Sequence, residues 1–233
     1  AAVSPSHTAF EKAPLPQLGL AAQTRIWLAQ LDWQTGLTLV WLLGTALFLA
    51  RLAINLCIVG LISFFAQNTS APEWHRTLKK CLLQLDIDRK VRLKTSRIVS
   101  FPMTFGCRRP VILLPAAASL WPSEQRELVV LHETAHIKRL DALTTVLAQL
   151  ACALYWFHPL VWFAKNRLQF ECERACDDCV IRHKSMHRRY ATVLLNIARS
   201  VTAQPYWLGS TVQMAHKSKL KRRLRCILNR HSR

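Results

Sequence analysis

Residues 128–141 read LVVLHETAHIKRLD, with His132 and His136 four apart and Glu133 directly after the first. On an α-helix, positions i and i+4 share one face, so both imidazoles can turn toward a single ion. Glu133 projects beside them, within reach of a water activated there. This HExxH spacing suits zinc-dependent hydrolysis. The motif is short, and a third protein ligand is what separates a catalytic zinc site from a pair of surface histidines.

The stretch QFECERACDDCV, residues 169–180, offers Glu171, Glu173, Asp177 and Asp178 on an expected helix. Glu173 and Asp177 share a face, so one can bind metal while the other accepts a hydrogen bond from a ligand histidine. Glu171 projects roughly opposite to Glu173. The thiols of Cys172, Cys176 and Cys179 form a rival constellation for a metal or redox centre, but no fourth ligand is evident, and packing is the preferred role.

These residues need elements to bring them together. Ser123 is the expected N-cap of the HExxH helix over WPSEQRELVVLHETAHIKRL, with Glu124 in its first turn. Upstream, 74–90 has helical periodicity with a basic face. VRLKTSRIVSFPMTFGCRRPVILLP alternates and is rich in β-branched residues, which predicts short strands near 91–95, 98–101 and 111–114. The segment from Phe101 to Leu114 is a candidate edge for an extended substrate peptide.

Two apolar stretches frame the motif. Between Trp33 and Pro72 the only charged residue is Arg51, and 33–66 is long enough for a transmembrane helix, which takes roughly 20 apolar residues. Ala142 to Ala164 carries no charge and is interrupted by His158-Pro159. A single crossing there would put His136 and Glu173 on opposite sides of the bilayer. A re-entrant or buried helical hairpin over 142–164 is therefore expected. Residues 1–32 hold two Lys and Arg, whereas 74–141 hold thirteen, which places 1–32 as an external loop and the metal segment in the cytoplasm.

The chain has 233 residues, a formal net charge of +19 and eight cysteines. The cysteines are scattered along apolar and helical stretches, so they are read as reduced thiols rather than a disulfide framework. Much of the charge lies in the tail, 201–233, where leucines alternate with basic residues. That pattern fits a juxtamembrane helix on anionic lipid, and no direct nucleic-acid binding is expected.

The blocks FPMTFGCRRPVILLP, LHETAHIKRLD, FHPLVWFAKNRLQFECERACDDCV and RRYATVLLNIA, in that order, resemble the BlaR/MecR-type antirepressor peptidases, integral-membrane zinc proteases of the gluzincin kind. The resemblance covers most of the chain after about residue 36. It implies a Zn2+ cofactor bound by His132, His136 and Glu173, with Glu133 as general base and Asp177 in support. It also implies a bacterial cytoplasmic membrane and a protein substrate such as a cytosolic repressor. The family carries three transmembrane helices before the zinc segment, and here one is evident. An oxyanion donor is also required. Tyr190 is the leading candidate, with His158, His183 and His187 behind it.

The expected fold is α+β and mainly helical: a membrane-embedded zincin-like metallopeptidase with a small sheet, its catalytic domain spanning 74–200. The expected function is a membrane-bound zinc metalloendopeptidase in signal transduction. A non-catalytic membrane sensor or scaffold of the same fold is the alternative.

Overall fold

The computed structural model describes residues 32–184 and 187–202, except the side chains of 184, 187 and 198–202, together with Arg223 and Ile227. The rest of the expected external loop and basic tail lies outside the described residues. The chain divides into two compact units, Ala1–Leu43 and Gly44–Arg233. The architecture is mainly helical α+β.

Helix α1, Trp33–Phe65, is long and apolar enough to cross a membrane. Its 33 residues extend about 50 Å at 1.5 Å per residue, more than the roughly 30 Å of a hydrocarbon core. Leu47, Ile54 and Phe64 on it are more than half exposed, the reverse of a core helix.

After the two-residue strand β1, Gln67–Asn68, helix α2 runs Pro72–Gln84 with Pro at its start. The sequence predicted a helix to residue 90. It stops earlier because Leu85 leaves helical geometry and Asp86 adopts φ 53°, a left-handed conformation that Asp tolerates better than most residues.

Strands β2 (Arg92–Ser96), β3 (Met103–Phe105) and β4 (Val111–Pro115) join β1 in one sheet of order β1-β2-β4-β3. β4 is internal, parallel to β2 and antiparallel to β3, and all five of its residues are buried. That explains its unbroken apolar run. The strand expected at 98–101 forms instead at 103–105. Pro102 lacks the N–H needed for the ladder, so pairing begins only after it. Among the described residues β3 is an edge strand.

A 3-10 turn, Ala116–Leu120, leads into α3, Ser123–Arg139. Ser123 is not its N-cap. Pro122 holds that position at ψ 154° with no side-chain cap bond, and Ser123 is already the first helical residue. Residues 128–135 of α3 are all buried, because α2 packs on one side and the later helix Pro159–Lys184 on another. An amphipathic stripe is therefore absent from this helix.

Leu140, at φ 59° and ψ 34°, ends α3 and starts α4, Asp141–Leu154. The chain turns through Tyr155–His158 and enters α5, Pro159–Lys184, which packs against both α4 and α3. At the turn, Phe48 of α1 lies 6.4 Å from the Trp156 ring and 5.4 Å from Trp162. Gly44 admits the Trp156 indole, which would stand 2.3 Å from a Cβ there. Helix α6, His187–Thr202, adds Tyr190 to the core shared by α2, β4, α3 and α5.

Candidate metal centre

α3 sets His132 and His136 one turn apart with their rings nearly perpendicular, at 4.8 Å between centroids and 87° between planes. Their Nε2 atoms face each other at 3.2 Å. α5 brings Glu173 to the same point, with Oε2 3.7 Å from His132 Nε2 and Oε1 3.7 Å from His136 Nε2. Donor atoms of these three residues lie within 4.8 Å of one another. Ligand atoms about 2.0–2.1 Å from a tetrahedral zinc stand about 3.3 Å apart, so the imidazole pair is already at the right separation. Two imidazoles and one carboxylate are a donor set that suits zinc and leaves a position open. The residues fit the ion.

The far nitrogens are held as well. His136 Nδ1 lies 2.8 Å from Asp141 Oδ2, and His132 Nδ1 lies 2.9 Å from the Tyr190 hydroxyl and 3.4 Å from Asp177 Oδ1. Tyr190 in turn donates to Asp177 Oδ1 at 2.7 Å. With each Nδ1 donating outward, each Nε2 turns its lone pair toward the other imidazole and Glu173.

Arg223 closes the far side. Its Nη1 is 2.6 Å from Glu173 Oε2, and its Nη2 and Nε are 2.6 and 2.9 Å from the two Asp177 oxygens.

The electrostatics favour a cation. Burial alone would lower the pKa of His136. The hydrogen bond His136 donates to Asp141 and the charges of Glu133, Glu173 and Asp141 outweigh it and hold the imidazole above its usual value. Burial would raise Glu173, but the neighbouring His132, Arg223 and His136 hold it well below the carboxylate range. Asp141 is likewise low, as His136 and Arg139 overcome its burial.

Glu133 sits in the buried wall of α3, and the Thr104 hydroxyl of β3 donates to its Oε2 at 2.6 Å. Tyr190 is 1% exposed, with its hydroxyl already spent on His132 and Asp177. It therefore stands behind His132, on the side away from His136 and Glu173. His183 faces solvent and bonds Cys179 O of its own helix at 2.8 Å. His158 lies at the turn before α5, fifteen residues ahead of Glu173. The His187 side chain is outside the described residues.

His136, Asp141 and Cys176 also form a compact donor group. Burial and the Asp141 and Glu173 charges push the Cys176 thiol far above its ordinary pKa, so it remains a neutral thiol beside the Asp141–His136 pair. A metal there would need the thiolate and would displace that hydrogen bond. Among the described residues, Cys172 and Cys179 do not join Cys176 in such a group.

Sequence reasoning passed over three residues at this site: Asp141, Thr104 and Arg223. Asp141 was visible in the motif, but on a continuous helix position i+5 points away from His136. Thr104 and Arg223 reach the site across separations of 29 and 46 residues or more, with no local signal.

Comparison with known proteins gives the family. The family model described as BlaR1 peptidase M56 matches residues 7–227. The chain belongs to this family. Regulatory protein BlaR1 of Bacillus licheniformis is 30% identical to the M56 chain over 192 residues, 82% of the chain and 32% of that protein. The methicillin resistance mecR1 protein of Staphylococcus aureus strain Mu50 is 22% identical over 200 residues, 81% of the chain and 33% of the relative. Regulatory protein BlaR1 of Staphylococcus aureus is 25% identical over 142 residues, 58% of the chain and 24% of that protein. The M56 chain thus spans about a third of the length of the first two of these relatives.

Proposed function

We propose that this chain is the catalytic part of a membrane-bound zinc metalloendopeptidase that acts in signal transduction. The observation that carries the reading is the convergence of two Nε2 atoms at 3.2 Å with the Glu173 carboxylate 3.7 Å from each. His132, His136 and Glu173 would hold the ion. When bound, zinc supplies Lewis acidity to a water and to a peptide carbonyl.

The other roles belong to the chain itself. Glu133, as general base, takes a proton from the attacking water and passes it to the leaving amine. Asp141 fixes the His136 tautomer, and Tyr190 with Asp177 fixes His132, so Tyr190 is a positioning residue rather than an oxyanion donor. β3 offers an edge to an extended peptide, giving main-chain pairing without strict side-chain selection.

The substrate we propose is a cytosolic regulatory protein such as a transcriptional repressor. The name Regulatory protein BlaR1, carried by two of the relatives, and the family resemblance support this. α1 would hold the chain in a bacterial cytoplasmic membrane, and the basic excess after residue 72 favours a cytoplasmic site. The α4–α5 hairpin then returns the chain to the same side.

Comparative proteomics between wild type and Glu133→Gln in the native cell tests the reading. A cytosolic protein cleaved only in the wild type is expected. Identical cleavage patterns with full zinc content would leave the peptidase assignment without support.

A further inference from the structure

The general base of a hydrolase must present one oxygen at a fixed place, and a carboxylate on a helix is free to rotate unless something holds it. Here the holder comes from the sheet. Thr104 Oγ1 lies 2.6 Å from Glu133 Oε2 and 3.4 Å from the Glu133 backbone carbonyl oxygen. The hydroxyl thus reaches both ends of the same residue. At 2.6 Å this is a short, charge-assisted contact in which the hydroxyl donates and the carboxylate accepts.

Thr104 is the middle residue of β3, paired opposite Ile112 of the fully buried β4. Its position is therefore fixed by the sheet and not by a loop. β3 is also the edge to which an extended peptide would add. Side chains alternate along a strand, so Met103 and Phe105 project to the face opposite Thr104.

We propose that Thr104 is the positioning residue for the general base, holding Oε2 so that Oε1 is the oxygen left to take the proton, and that it fixes the base to the strand on which the substrate lies. The inference rests on the peptidase reading above. It adds a residue that neither the HExxH motif nor the ligand set contains, and it gives the two carboxylate oxygens separate tasks. One accepts a hydrogen bond throughout, and the other exchanges the proton. Base and peptide are then registered against the same strand, and a misplacement of about 1 Å in such a site can cost 10²-fold in rate.

The test uses the full-length chain in lipid vesicles, loaded with zinc, with fluorescein-labelled casein as an unfolded protein probe. Four proteins are compared: wild type, Thr104→Val, Thr104→Ser and Glu133→Gln. Valine keeps the shape and strand preference of threonine but lacks the hydroxyl. Thr104→Val is expected to lower kcat about 10- to 100-fold while KM and bound zinc stay within about twofold. Thr104→Ser, which retains the donor, is expected to recover most of the rate.

Wild-type kcat in Thr104→Val overturns the proposal. So does a loss carried by KM, or one that serine shares equally with valine, since either would mark a packing role. If wild type and Glu133→Gln cleave casein alike, the peptidase reading itself fails and this inference falls with it.

Discussion

At the scale of single residues, the centre is organised by what stands behind His132 and His136. His136 is oriented by Asp141 at 2.8 Å, an interaction made by a residue 8% exposed at its side chain. Partners of this kind cost about 10- to 100-fold in metal affinity when removed. Asp141→Asn should therefore weaken zinc binding by about that factor, read in a competition titration against a chromophoric chelator. Unchanged affinity would show that His136 needs no such partner. The same pair governs the metal-free protein. His136 is raised, so its stabilising contribution is complete below about pH 6.5 and lost as pH rises through its higher folded value. Asp141 and Glu173 are depressed, so theirs is present above about pH 4 and lost as pH falls through their folded values. Chelator-treated protein should unfold at the highest temperature in the mildly acid window, and Asp141→Asn should flatten the decline above it.

At the scale of elements, the legible parts were those written in local pattern. The apolar run of β4, the length of α1 with Arg51 as its one charge and the i, i+4 histidines of α3 each follow from a short stretch read alone. What failed was punctuation: Pro102 displaced a strand, Pro122 took the cap from Ser123, and Asp86 ended α2 early. One such mark also shapes the site. Leu140 in the left-handed region breaks what would otherwise be one helix and swings Asp141 back onto His136. A leucine there costs about 1–2 kcal/mol, and glycine would remove that strain at an entropic cost of about 0.5–1 kcal/mol. Leu140→Gly should thus hold or slightly raise the unfolding temperature and keep zinc affinity. Leu140→Val, β-branched and worse suited to positive φ, should lower both. Equal behaviour of the two variants would mean the joint does not depend on its backbone conformation.

Across the whole molecule, the centre draws on α3, α4, α5, α6, the sheet and one residue far down the chain. Arg223 is the member that no reading of the motif could supply, because nothing near it in sequence announces a partner 46 residues away. Its guanidinium grips both oxygens of Asp177, a carboxylate 3% exposed at its side chain, and reaches Glu173 as well. Ile227, four residues on, is buried in the same core as α3 and α5. Removing the arginine would leave the Asp177 charge buried without a counter-charge, and breaking such a pair costs about 3–5 kcal/mol. Arg223→Met should destabilise the metal-free protein by about that amount, and Lys should rescue little because an ammonium cannot offer the same fork. Asp177→Asn added to Arg223→Met should restore part of the loss, since the orphaned charge is gone. Removing the chain after Thr202 should be at least as damaging, because the burial of Ile227 is lost too. Chemical unfolding of the single, double and shortened proteins gives the coupling energy directly. Additive single effects would mean that the arginine does not tie the end of the chain to the centre.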